Sequence, residues 1–404
     1  MRVAGLSLLL LTTHPAQALD GINGRISVLG SIANPGSGDL TLNGSDDLIH
    51  ADQQTLRLMH DGVSGQNEWS VHLKTSRQHR QNIPAAGLHS SAYFRFRELA
   101  DSWLDESDSN SSTTIGYELD RAVYKRRFDK FTLSAGRQPI DWGTGRLWQP
   151  LNVFGAFAPV DLDTEYKPGI DALVLNWYPG EFSSMSAAYV FSPGDDQRLG
   201  DTKDSFAVHY KRLVGDNSEL ALLAGRVNDN QVLGTSFESE FKGVGLRAEA
   251  SYYDLADGDS GLFAIAGADY KFENGTTVAA ELYDNALGAS SKAELATAQS
   301  APLITQGIQP HLSRHVLGLS AQRDISPLWS GGYTLLTSQL DDDSGDKQYS
   351  FLHQLNLKYS LGNESDLLFS LLHGNGKGVD AQGNIQSEFG HVPTTLTVRW
   401  SYYF

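Results

Sequence analysis

The sequence predicts an all-β chain: a transmembrane antiparallel up-and-down β-barrel of about 18 strands, with 16 as the alternative, and one long loop folded inward. Three observations predict it. Segments in which apolar and polar residues alternate recur along the whole chain. The connections between them alternate between tight turns and long loops. The chain ends in TTLTVRWSYYF, one parity of which is apolar throughout. The totals agree: 40 glycines and 10% aromatics suit many strands and turns, and a mean hydropathy of −0.31 does not suit a bundle of membrane helices. The net charge of −17 argues against nucleic acid as a partner. The absence of cysteine fits an oxidising compartment.

Taken in order, the first element is a leader. In MRVAGLSLLLLTTHPAQALD, Arg2 precedes an apolar run from Val3 to Leu11 and the small-x-small site Ala16-Gln17-Ala18. This is the pattern of a secretory signal peptide, 1–18, and the run is too short to span about 30 Å of hydrocarbon. The barrel is expected to occupy 19–404. Alternation is clear in Trp69, Val71 and Leu73 against Ser70, His72 and Lys74, and in Leu173, Leu175 and Trp177 against Ala172, Val174 and Asn176. It continues in Phe206, Val208 and Tyr210, in Val244 to Tyr252, in Val278 to Leu282 and in Leu355 to Tyr359. Tight turns fall at 128–130, 179–180, 241–243, 273–275 and 361–366, and long connections at 140–168, 193–202, 286–311 and 374–392. Several longer connections are acidic, among them 101–110. Many strands run roughly nine to twelve residues, longer than those of a sandwich and enough to cross a bilayer when tilted. Counting back from the end gives about fifteen strands as far as 115–128. Candidates upstream are 22–33, 51–61, 66–75 and 89–99, and an even total requires three of these four in the wall.

The tail carries a resemblance. Leu396, Val398, Trp400, Tyr402 and Phe404 share one face, and the chain stops at Phe404. This resembles the closing strand of Gram-negative outer-membrane β-barrels, the porin-like proteins among them. The resemblance implies a place in the cell outer membrane among its lipids and lipopolysaccharide. It also implies that Trp400, Tyr402 and Phe404 form the signal read by the barrel-assembly machinery. A homotrimer is open. The apolar parity then meets lipid, and the last strand closes the sheet so that no edge is left unpaired.

The other parity faces the lumen. There it places Arg57, Lys74, Arg95, Arg97, Lys211, Arg247, Lys358 and Arg399, with Glu68, Glu219, Glu249 and Glu281. An excess of fixed cations would favour anions. The alternative is a cross-strand lattice of ion pairs that stiffens the wall. Tyr93, Tyr124, Tyr253, Tyr283 and Tyr403 could form an aromatic slide for sugars. In YELDRAVYKRRFD, Arg121 falls on the parity of Leu119 and Val123, so a bulge or another register is expected there. The densest chemistry is GRQPIDWGTGRLWQPLNVFGAFAPVDLDTEYKPGID at 136–171. Its prolines block strand pairing, and Trp142, Trp148, Phe154 and Phe157 are too apolar for a solvated loop. The loop is expected to fold inward and narrow the lumen, as the constriction loop of porins does, with Arg137, Arg146 and Lys167 facing Asp141, Asp161, Asp163 and Glu165. Packing against the wall as a brace is the alternative.

No cofactor and no metal site is expected. DDDSGDKQ at 341–348 is oxygen-rich, but Leu352 stands where a calcium loop needs glutamate. For an enzyme, a lipase or protease barrel, neither GxSxG nor HExxH occurs. His311 and His315, read on one strand, would be about 13 Å apart, and Ser313 has no identifiable acid partner. The expectation is a non-enzymatic channel for small hydrophilic solutes, anion-preferring if the basic excess prevails. A barrel enzyme and a non-conducting adhesin or structural barrel are the alternatives.

Overall fold

A computed structural model describes residues 21–34, 36, 48–80, 90–98, 100–102, 113–196 and 199–404. The leader read at 1–18 and most of the acidic stretch 101–110 lie outside them. Eighteen strands form the wall. The first six are β1 (Asn23–Asn34), β2 (Ile49–Ser64), β3 (Asn67–Arg80), β4 (Thr113–Arg127), β5 (Phe131–Gln138) and β6 (Ile170–Gly180). Then come β7 (Ser183–Val190), β8 (Ser205–Val214), β9 (Ser218–Val227), β10 (Asn230–Phe241), β11 (Val244–Asp254) and β12 (Ser260–Lys271). The last six are β13 (Thr277–Asn285), β14 (His315–Asp324), β15 (Trp329–Asp341), β16 (Lys347–Gly362), β17 (Ser365–Asn375) and β18 (Thr394–Tyr403). Each pairs antiparallel with the next, and β18 returns to β1 in register from Arg25–Tyr403 to Asn34–Thr394, so the sheet has no free edge.

Parity sets the two faces. Val28, Ile32, Leu173, Leu175, Phe206, Leu222, Leu233 and Leu396 stand exposed on the outside. Arg25, Ser27, His209, Ser236, Glu249, Arg399 and Ser401 are buried on the inside. A water-soluble protein of this pattern would be inside out; hydrocarbon outside makes it consistent. No described helix is long and apolar enough to cross a membrane.

Two seams explain the register. Gly24 and Phe404 exchange backbone hydrogen bonds of 2.8 and 3.0 Å across the β1–β18 junction. The Phe404 ring lies so close over Gly24 that a Cβ there would collide with it. Between β3 and β4, the partners of His72 and Leu73 are Arg121 and Leu119, so Asp120 is an extra residue. This bulge turns Asp120 inward onto Arg57 and brings Arg121 near Arg57, Asp61 and Tyr166. It is the register change expected at Arg121.

One of the four upstream segments is not in the wall. Ser90–Phe94 is a single 3-10 turn, not part of a strand over 89–99, and it points Phe94 into the interior against Phe154 at 5.3 Å. Two alternating phenylalanines are too short a signal to separate a strand from one turn of helix. Just beyond, Ala100–Ser102 pairs with Gly116–Glu118 on β4, above the point where the short β5 stops.

Candidate functional site

The site is the 139–169 connection, which leaves β5 and returns to β6 after a full circuit of the inner wall. Its contacts follow the order of the strands. Trp142 stacks on His209 of β8, with ring centroids 5.3 Å apart. Thr144 donates its amide and hydroxyl to Glu249 of β11 at 2.8 and 3.1 Å, and the Leu151 amide donates to the other oxygen of that carboxylate. The amides of Arg146, Leu147 and Trp148 all donate to Glu281 of β13, the last two at 2.8 and 3.2 Å. Leu147 and Trp148 fill the space a side chain at Gly318 of β14 would need. Gln354 of β16 donates to the Val160 carbonyl at 2.8 Å, and Arg399 of β18 to that of Leu162 at 2.7 Å. Arg25 of β1 holds Asp163, and Glu165 at 2.7 Å. Tyr166 lies under the guanidinium of Arg57 of β2, at 4.4 Å. Lys167 pairs with Asp141 at 3.0 Å and so joins the end of the circuit to its beginning.

The loop is therefore a collar lying on the wall, and it is held by two kinds of force. Leu147, Trp148, Leu151, Val153 and Phe154 are buried against Ile265, Val232, Tyr253 and Tyr283, at about 1.5–3 kcal/mol for each large side chain removed from water. A chain with four prolines makes no ladder, so its amides need other acceptors. Glu249 and Glu281 supply them. Parity had offered these glutamates as partners for lumen arginines; the structure aims both at backbone N–H groups instead.

The charged residues singled out from sequence divide accordingly. Asp141, Arg146, Asp161, Asp163 and Glu165 are exposed, and Lys167 is half-buried. Lys167 and Asp141 meet, whereas Arg146 reaches Asp269 of β12 at 3.4 Å. Asp161 accepts the Ala158 amide at 2.7 Å. Arg137 does not face the narrowing. It is buried where β5 ends, paired with Asp171 at 2.8 Å and donating to the carbonyls of Leu119 and Arg97. Burial alone would raise the Asp163 carboxyl, but Arg25, with Arg399 beyond it, holds it below the ordinary carboxylate range. Burial pushes Lys167 below the ordinary lysine range despite Asp141.

Most of the eight lumen bases are paired. Arg57 pairs with Asp120, Lys74 with Glu118 at 3.1 Å, Lys211 with Glu219 at 3.1 Å and Lys358 with Asp366 at 3.2 Å. Arg247 pairs with Asp269 and with Glu238 at 3.1 Å, and Arg399 approaches Asp163 at 3.8 Å. Arg95 and Arg97 come from the inward turn, not from a wall strand. Arg95 reaches Glu118 and Glu98 at 2.8 and 3.0 Å, and Arg97 is exposed. The basic excess read from parity is thus largely offset by Asp120, Glu118, Asp269 and Asp366. Arg121 and Lys125 of β4 form no ion pair among the described residues. The tyrosines do not form a slide: Tyr124 is exposed on the outer face, and Tyr93, Tyr253 and Tyr283 are buried.

Two polar cavities of about 640 and about 370 Å³ open on the short-turn side of the collar. Lys125, Arg127, Ser134 and Gln138 line the first, and Lys211, Glu219 and His209 the second. On the other side, His311 does not lie on a strand with His315. It is buried in the 286–314 connection beside Ser313, and both bind Glu388, the acid partner missing from the sequence reading. The Ser313 hydroxyl donates to the carboxylate at 2.8 Å and not to the imidazole, which is not the order of a nucleophile–base–acid relay.

No family model matches the chain, and no curated protein matches it in sequence. Solved structures do match in fold. OccAB4 of Acinetobacter baumannii aligns over 97% of this chain and 100% of its own, at 11% identity and a TM-score of 0.60. The outer membrane protein OpdK of Pseudomonas aeruginosa aligns over 96% and 99%, at 9% identity and 0.56. A structure of OpdK with vanillate covers the same shares at 10% identity and 0.55. At these identities the likeness is one of fold.

Proposed function

We propose that the chain, exported behind a leader cut after Ala18, is an outer-membrane channel for passive passage of small hydrophilic solutes, narrowed by the 139–169 collar. The observation that carries this reading is the collar itself: a closed circuit inside an inside-out barrel, with polar space beyond it. The fold it shares with OpdK, a structure of which holds vanillate, supports the reading. The aromatic end at Trp400, Tyr402 and Phe404 is the signal the barrel-assembly machinery would read.

Charge preference comes from what pairing leaves over. Arg121, Lys125 and Arg127 share the lumen face of β4, running from Tyr166 at the collar to the turn at Asp129. Among the described residues, Arg127 alone of the three forms an ion pair, with Glu68 at 2.5 Å, while Arg121 lies near Asp120 and Asp61 without bonding either. This track gives a mild preference for anions along one side of the passage. Replacing all three by glutamine lowers the chloride-to-potassium permeability ratio about two- to five-fold, read from the reversal potential under a salt gradient. An unchanged ratio removes the track from the account. Phospholipid or peptide hydrolysis by the purified protein would favour the enzyme alternative.

A further inference from the structure

Three long connections meet at one buried imidazole. His311, in the 286–314 connection, engages Glu388 of the 376–393 connection through Nδ1 at 3.0 Å. Its Nε2 stands 2.9 Å from the indole Nε1 of Trp148 in the collar. An indole N–H only donates, so Nε2 must accept, and the ring is neutral with its proton on Nδ1. Tyr283 and Phe389 pack on the imidazole edge-on at 5.2 and 5.6 Å. Ser313 is spent on Glu388. Among the described residues the titratable groups in contact with the ring are Glu388 and Tyr283, and Glu281 beneath Trp148 is occupied by the amides of Arg146, Leu147 and Trp148.

We propose that His311 is an acid-sensitive latch: protonation at Nε2 releases Trp148, and the 146–151 segment of the collar leaves the wall and closes the passage. A protonated imidazole carries N–H on both nitrogens, so Nε2–H and the indole N–H would point at each other. Glu388 keeps hold of Nδ1, which fixes the ring and makes Trp148 the group that yields. The Glu388 carboxyl, which burial would raise, is held below the ordinary range by His311 and Ser313. Trp148 is buried against Gly318 and Tyr283 of the wall, and with Gln149, Phe157 and Ile308 it lines a cavity of about 290 Å³, so a freed segment has space to move into. The tie of Asp163 to Arg25 survives the same acidification, because it is lost only as pH falls through a carboxyl range already below the usual one.

The proposal rests on the channel reading, so its test has one arm that needs no current. Single channels in planar bilayers at about pH 8 and about pH 5 should show a several-fold rise in closed time for the native chain and none for His311→Gln, whose amide does not titrate. A native chain without an acid response, or a variant that keeps one, overturns the latch. The second arm uses the absence of cysteine. Gln149→Cys supplies a unique thiol beside Trp148. The acid-to-neutral labelling ratio by a charged thiol reagent should be several-fold higher with His311 present than in the His311→Gln background; equal ratios overturn the latch. Labelling that follows the prediction without any conductance would spare the latch and defeat the channel. Trp148→Phe, which has no indole N–H to place, should lose the acid response with His311 intact; a retained response also counts against the latch.

Discussion

Replacing residues 144–158 by a short Gly-Ser bridge raises single-channel conductance several-fold while the barrel still assembles. The collar makes no ladder hydrogen bond with the wall: every strand pairs with its neighbours without it. Removing it costs the burial of Leu147, Trp148, Leu151, Val153 and Phe154, but not closure of the sheet. A gentler variant isolates the anchor. Glu281→Ala takes away the acceptor of three consecutive amides. Each buried amide left without a partner costs about 1–3 kcal/mol. The segment therefore detaches, and current noise rises before mean conductance does. Glu281→Gln keeps one carbonyl acceptor and should fall between. Unchanged conductance in the bridged variant would mean that the collar braces the wall without setting the width of the passage.

The second large effect is at the seam. Gly24→Leu should abolish most of the heat-modifiable folded band seen by gel electrophoresis of envelope extracts, and Gly30→Leu should leave it intact. Both glycines stand on the outward face of β1. A Cβ at Gly24 strikes the ring of Phe404, whereas one at Gly30 meets nothing within 4 Å. Overpacking costs about 1–3 kcal/mol at an ordinary site. Here the cost falls on the junction where the first and last strands must meet. Removing Phe404 should reduce the band as well, and restoring an aromatic should recover it. Equal yields from the two glycine variants would refute the seam argument.

What the sequence made legible follows from the range of each interaction. Alternation is local, so the strands from 113 onward, the outward face of the tail and the turn positions could be read residue by residue. Only short or irregular stretches misled. The FRF stretch at 94–96 has too few alternations to exclude a helical turn. At Asp120 a single inserted residue breaks the parity, so the outward face of Leu119 does not carry on to Val123, which turns inward with Arg121. Arg25 is legible in the same way: Ile26, Val28 and Ile32 mark its strand, and it stands on the opposite parity.

The circuit of the collar was not legible. Its apolar content and its prolines indicated a loop that comes inside. Its wall partners are 67 to 238 residues away in sequence, from Trp142 and His209 to Glu165 and Tyr403. No local pattern distinguishes a glutamate that will accept amides from one that will pair with arginine. The same holds for Glu388, whose bond to His311 crosses 77 residues.

The central claim is that every second side chain of the wall meets hydrocarbon while the interior passes solute through the collar. The most direct measurement is the current through a planar bilayer after addition of the detergent-purified chain. The account predicts discrete, repeating conductance steps that scale with salt concentration. A bilayer that takes up the protein, shown by recovery of the heat-modifiable form, and yet stays insulating would contradict it.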